Sequence, residues 1–284
     1  MIKPLNDAHV RLADRSLKPP KYVWPRKPSV YSNQFQFNRD SLQTYWQATD
    51  TTLAKQGFEP LKASGGTYAD RQRQFYYARS TQYGYIRIRE CTFGKGGSGP
   101  KLRELDSILT YFGPIKGLLL DIRFNQGGGD RFAFGVAGRF VDKGQVVYYR
   151  YRRRKRGGYT DFVKLTTFRL RPKGPTQFTQ TPIAVLTNDR TVSAGDNLAL
   201  IMHRLPMVRL IEENTEGSFD SMRFHQLPYG WYYSLPDKRI HDSANQCYEG
   251  IGVPVDLRVV VSRADLARSN DPVITQALGN LMSR

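Results

Sequence analysis

Residues 118–129, LLLDIRFNQGGG, and residues 183–200, IAVLTNDRTVSAGDNLAL, decide how this chain folds. Each opens on an apolar run of strand length, the pattern of a strand buried on both faces of a sheet. Each then breaks into a loop suited to close approach. In the first, Gly127, Gly128 and Gly129 let the backbone meet a ligand with no Cβ in the way, and exposed amides there can hold a developing oxyanion. Alone this stretch is weakly specific, since glycine-rich strand ends also hold phosphates or merely turn, and it has neither GxGxxG nor GKS spacing. In the second, a loop from Asn188 to Val192 leads into an apolar-periodic helix that begins at about Ser193 and runs to His203. Free N–H groups and the helix dipole favour negative charge at such a terminus, so Ser193 reads either as a plain N-cap or as a nucleophile.

Outward from these two stretches, strands and helices alternate. Residues 83–89, 115–124, 183–187, 208–211, 222–226, 231–235 and 257–261 read as strands. Residues 40–56, 101–111 and 131–141 read as helices, with a C-terminal helix within 264–282. Residues 146–151 and 162–170 form a hairpin. This alternation defines an α/β protein. Residues 18–35 are rich in proline and lysine and read as an extended arm, and residues 95–100 (KGGSGP) as a short soft stretch.

A chain of 284 residues, 39% hydrophobic and 24% charged with 17 Tyr and 15 Phe, is long and apolar enough for one large domain, or one plus an appendage. There is no run of about 18 apolar residues and no export signal. Cys91 and Cys247 lack metal-ligand spacing and allow at most one bridge. His9, His203, His225 and His241 have no HExxH or CxxC context, so no metal and no cofactor is expected and the chemistry is organic. The net charge of +18 is densest at Arg152 to Arg156, flanked by Tyr148, Tyr149, Tyr151 and Tyr159. Basic residues among aromatics can track phosphates and stack bases. The plainer reading is a hairpin turning at Gly157 and Gly158 with its arginines on solvated faces. No specific nucleic-acid partner is expected, while anionic surfaces and acidic peptides remain compatible.

The two opening stretches carry a family resemblance. LLLDIRFNQGGG resembles the "LDLRxNxGG" segment of tail-specific proteases, and VLTNDRTVSAGDNLAL their "VLxNxxTxSAxE" nucleophile segment. IEENTEGSF resembles the "GExTxG" loop and CYEGIGVPVD the closing "xEGxGVxPD" element, all in the family's order across about residues 83–260. The chain thus resembles the tail-specific and tricorn protease superfamily of serine peptidases. The resemblance implies a ClpP/crotonase-like core of β-β-α units with a small N-terminal extension, acting on peptide or protein substrates. It divides the chain into residues 1–17, which carry a histidine motif, 18–82, an arm and helix with no PDZ domain recognised, and 83–284, the catalytic domain.

It also implies roles. Ser193 is the nucleophile, and the amides of Gly128 and Ala194 form the oxyanion hole. Gly127, Gly217 and Trp231, the last in an "LPxGW"-like strand, contact substrate, and Asp196 stands where the family usually has Glu. The Ser-Lys branch places its lysine where this chain has Ser218, and no lysine lies between Lys173 and Lys238, which disfavours that mechanism. The tricorn branch uses Ser, His and Glu. Leu5 to His9 resembles its "LxDxH" segment, with Ala8 in place of the tricorn serine, and Glu249 matches its acid. His203 lies ten residues beyond Ser193 on one helix, about 15 Å along the axis, out of reach. His225 and His241 read as surface or packing residues. Because the histidine motif falls within ten residues of Met1, residues upstream are expected to be missing, with any address to the cell envelope. The alternative from another class is a ligand- or peptide-binding protein on the same scaffold. Nothing in the sequence sets the oligomeric state.

Overall fold

The computed structural model describes residues 9–14, 21–23, 39–64, 73–92, 97–154, 156–158, 160–175 and 178–283. Residues 5–8 of the histidine motif, most of the arm at 18–35, and Lys95, Gly96, Lys155 and Tyr159 lie outside these. Fourteen strands are described: β1 (Arg11–Asp14), β2 (Lys21–Val23), β3 (Lys62–Ala63), β4 (Phe75–Arg79), β5 (Tyr83–Ile88), β6 (Gly117–Asp121), β7 (Gln145–Arg153), β8 (Phe162–Leu170), β9 (Ile183–Thr187), β10 (Val208–Glu212), β11 (Met222–Gln226), β12 (Trp231–Pro236), β13 (Lys238–Asp242) and β14 (Leu257–Arg258). The helices are α1 (Arg39–Lys55), α2 (Gly99–Phe112), α3 (Asp130–Ala137), α4 (Ala194–His203), α5 (Arg263–Ala267) and α6 (Pro272–Met282).

The centre is a seven-stranded sheet in the order β14-β10-β9-β6-β5-β4-β3. The first five run parallel; at one edge β4 pairs antiparallel with β5, and β3 antiparallel with β4. The two apolar runs are its middle strands, and alternation sends their side chains to opposite cores. Leu118, Leu120, Ile183 and Val185 pack with α2, α3 and α4, while Leu119, Ala184 and Leu186 pack with α1, α5 and α6. Cover on both faces is why neither run contains a polar position before its C-terminal end. The α/β architecture read from the sequence is the observed one.

Two smaller sheets flank the centre, β11-β12-β1-β2 and β13-β7-β8. The 145–170 hairpin forms as expected, but β13, β1 and β4 carry patterns too short to read alone and exist through their partners. The central sheet starts upstream of Tyr83, because β4 hydrogen-bonds onto β5 and β3 onto β4. The strand expected over 257–261 stops at Arg258, since its partner β10 ends at Glu212, where a φ of 103° turns the chain away. The single C-terminal helix is two. Ser269 at φ 49° ends the turn after α5, and Asp271 caps α6 by accepting from the Val273 amide (3.1 Å) ahead of Pro272. Cys91 and Cys247 are both free thiols. Among the described residues no helix is long and apolar enough to cross a membrane.

Candidate active site

The parallel strands β6 and β9 end side by side, so the loops that leave them are neighbours, and the crevice beyond the carboxyl ends of parallel strands is where α/β sheets bind ligands. Side chains that are polar in the sequence but fully buried stitch the loops together. Thr191 Oγ1 donates to the Ile122 carbonyl (2.9 Å), Asn188 Oδ1 accepts from the amides of Phe124 (3.0 Å) and Arg190 (3.1 Å), and the Val192 amide donates to the Asn125 carbonyl (2.9 Å). Asn125 fixes the glycine turn from within: its Oδ1 accepts from the Gly127 amide (2.9 Å) and its Nδ2 donates to the Ile88 carbonyl (2.9 Å).

Ser193 sits at the N-terminus of α4 with φ 63° and ψ −122°, a left-handed conformation that a residue with a Cβ adopts only under constraint. Its amide donates to the Ser218 carbonyl (3.1 Å) and to Asp196 Oδ2 (2.7 Å). Gly127 lies directly against it: a Cβ there would come within 2.6 Å of both the Ser193 Cβ and the Val192 carbonyl oxygen. Gly128, at φ 143°, has no more room, because its Cβ would lie 2.5 Å from the Cys91 carbonyl carbon. Cys91 brackets it, donating to the Gly127 carbonyl (2.8 Å) and accepting from the Gly129 amide (2.9 Å), which leaves the Gly128 amide turned the other way. The amides of Gly128 and Ala194 donate to no acceptor among the described residues.

Asp196, read from the sequence only as a substitute for Glu, is the anchor of the cluster. Fully buried, it accepts from the amides of Ser193, of Gly217 (2.8 Å, Oδ1) and of Ser218 (3.2 Å, Oδ2). Burial pushes its carboxyl up to about 7 and the nearby Glu216 charge adds to the rise, against donors from Thr215, Gly217 and Ser218. Between about pH 4 and 7 the folded protein therefore holds a proton here that the unfolded chain has released, so stability falls as pH rises through that window and levels off above it. Asp196→Asn is expected to remove this contribution. Across the same range the wild type should lose stability relative to the variant, by up to a few kcal/mol in urea unfolding. A difference independent of pH would contradict the assignment.

The remaining candidates are placed by bonds of their own. Glu249 joins the loop before β11 to β13, accepting from the Phe219 amide (3.4 Å) and the Ile240 amide (3.2 Å). His9 is 4% exposed, and its carbonyl accepts from Ser234 Oγ (2.7 Å). Continuing the antiparallel register of β1 on β12 puts His9 level with Pro236, which pairs with Met222, at the base of the hairpin that rises from residues 216–221. Trp231 pairs with Asp14 at the other end of β12, about 17 Å along the strand, and does not join the cluster. Gly217 does, packed so closely that a Cβ would lie 2.5 Å from the Gly252 amide nitrogen. Among the described residues no group of three His, Cys, Asp or Glu is placed to hold a metal ion.

The comparisons with known proteins fit this arrangement. The model of peptidase family S41 matches residues 82–259, more than half of the chain. The crystal structure of a candidate peptidase from Parabacteroides merdae superposes with a TM-score of 0.76 at 25% identity, covering 99% of this chain and 79% of that one. Mature CPAF in complex with lactacystin superposes with a TM-score of 0.61 at 14% identity, over 92% of this chain and 63% of that one. Tricorn protease superposes with a TM-score of 0.50 at 20% identity, over 71% of this chain and 18% of that one. At those identities the last two speak for the fold alone. No curated protein matches the chain. The class is thereby defined as a serine peptidase. The chain belongs to peptidase family S41.

Proposed function

We propose that this peptidase hydrolyses peptide bonds in proteins or peptides through an acyl-enzyme on Ser193, with His9 as base and Glu249 as its acidic support. The observation that carries the reading is the conformation of Ser193 itself, a left-handed serine at a helix N-terminus between two amides that have no acceptor among the described residues. Strain of this kind is kept where a site requires it. In the proposed reaction the Ser193 hydroxyl attacks the scissile carbonyl while the His9 imidazole takes its proton. The oxyanion forms against the amides of Gly128 and Ala194. His9 then returns the proton to the leaving amine, and water repeats the sequence on the acyl-serine. Gly127 and Gly217 would line the approach to Ser193, with Trp231 contacting substrate further from the scissile bond. Glu249, bonded to the peptide unit that follows Ser218, would hold the base and the nucleophile loop in one frame.

The test is hydrolysis of an unfolded protein substrate by His9→Ala and Glu249→Gln. Loss of the base is expected to lower kcat/KM by about 10³-fold or more, and loss of the acid charge by a smaller factor, with KM little changed in both. Wild-type turnover in His9→Ala would remove His9 from the mechanism. A folded wild-type protein that binds peptides without cleaving them would favour the binding-scaffold reading.

A further inference from the structure

The register of the β13-β7-β8 sheet sorts its many cations into two groups that the sequence cannot separate. On the inner face, Tyr148 packs against Phe134 and Phe168, and Arg150 reaches Asp130 (3.3 Å) and Asp220 (3.5 Å). At the strand ends, Arg152 lies 3.9 Å from Asp237 and Arg154 lies 3.3 Å from Asp161. Arg150 and, within the basic run, Arg152 and Arg154 are therefore matched by carboxylates. The outward face is composed differently. Tyr149, Tyr151 and Arg153 of β7 stand beside Phe162, Lys164, Thr167 and Arg169 of β8 and Arg239 and His241 of β13, with no acidic side chain among them. Among the described residues Lys164, Arg169 and Arg239 have no carboxylate within 4 Å.

The cations lie over the rings. Lys164 Nζ is 3.3 Å from the Tyr149 ring centroid, Arg239 crosses the middle strand to within 4.4 Å of the Phe162 ring, and Tyr151 packs on His241 at 4.5 Å. We propose that this outward face binds single-stranded nucleic acid without sequence preference. A phosphate backbone draws the Lys164 ammonium and the Arg239 guanidinium off their rings, and the uncovered faces of Tyr149 and Phe162 then take stacked bases, a combination of charge and π surface that sheet-based single-strand binders use. A bilayer is the poorer fit, since membrane seating requires apolar side chains to reach past the charges, and here the charges cover the rings. An acidic peptide offers the charge without the flat rings that would replace the cations.

The test is fluorescence anisotropy of the full chain with a labelled oligothymidylate of about 20 nucleotides, competed by poly-glutamate and by vesicles of phosphatidylglycerol. Binding is expected in the micromolar range at low salt, with a log–log salt slope of about −2 to −3 for three or four neutralised phosphates. Tyr149→Ala with Phe162→Ala should weaken it about tenfold or more, and Lys164→Ser with Arg239→Ser should reduce the slope by about 1.4. Thermal melting checks that each variant folds. If the ring variant does not, the cation pair and the wild-type competition decide. No binding, displacement by poly-glutamate or vesicles at equal charge, or a folded ring variant that binds as wild type would each overturn the proposal.

Discussion

Ser193→Ala is expected to lower kcat/KM for peptide hydrolysis by about 10⁴-fold or more, to the level that binding and oxyanion contacts support without a nucleophile. Stability should hardly change, because alanine keeps the same Cβ and both amide bonds, to Ser218 and to Asp196, belong to the backbone. Ser193→Gly supplies an independent check. At φ 63° glycine relieves the left-handed strain, so this variant should be as inactive as Ser193→Ala and more stable than it, by on the order of 1 kcal/mol. Equal urea midpoints for the two variants would show that the position is unstrained. Residual turnover near wild type in either would remove Ser193 from the chemistry.

The largest loss of stability is expected from Arg123→Ala. This guanidinium is completely buried. It makes a two-pronged pair with Asp121 (2.9 and 2.6 Å) and reaches Asp271 (3.0 Å), Glu212 (3.4 Å) and the Tyr45 hydroxyl (2.6 Å). Burial opposes its charge, yet Asp121 and Asp271 outweigh that and raise its pKa further. Burial, Asp271 and Glu213 drive the Glu212 carboxyl well above its usual range. Without Arg123 three carboxyl groups surround an empty space with no cation, and breaking such a buried pair costs about 3–5 kcal/mol, a large part of a domain's typical net stability. The orphaned carboxyls would be protonated more readily in the folded than in the unfolded chain, so the variant should lose further stability as pH rises above about 4 and recover part of it at acid pH. Urea unfolding of the variant at pH 5 and pH 7 measures this, and a loss under about 1 kcal/mol at pH 7 would contradict it. The cluster joins α1, β6, β10 and the cap of α6 beneath both site loops, which is how a helix outside the family match is locked to the site.

What was legible in the sequence is what local pattern encodes. Leu118 to Leu120 and Ile183 to Leu186 announce doubly covered strands, and the glycines and the serine after them mark the loops that meet. Asn125, Asn188 and Thr191 stand inside these motifs, but their work is not readable from sequence, since each bonds to backbone from another loop or strand. A buried Asn or Thr next to a glycine turn was the available signal. β13 and the outward cation face were invisible for a related reason: Arg239 meets Phe162 only through three-strand register, across 77 positions of sequence. Equally, LRVVV at 257–261 reads as a five-residue strand until its partner is seen to turn away at Glu212.

An activated Ser193 is the central requirement of the proposed chemistry. The direct measurement is labelling of the folded wild-type protein with a fluorophosphonate probe, followed by peptide mapping of the adduct. The prediction is one adduct, on Ser193, absent in Ser193→Ala and sharply reduced in His9→Ala. A folded wild-type protein that takes no label, or takes it on another residue, would contradict it.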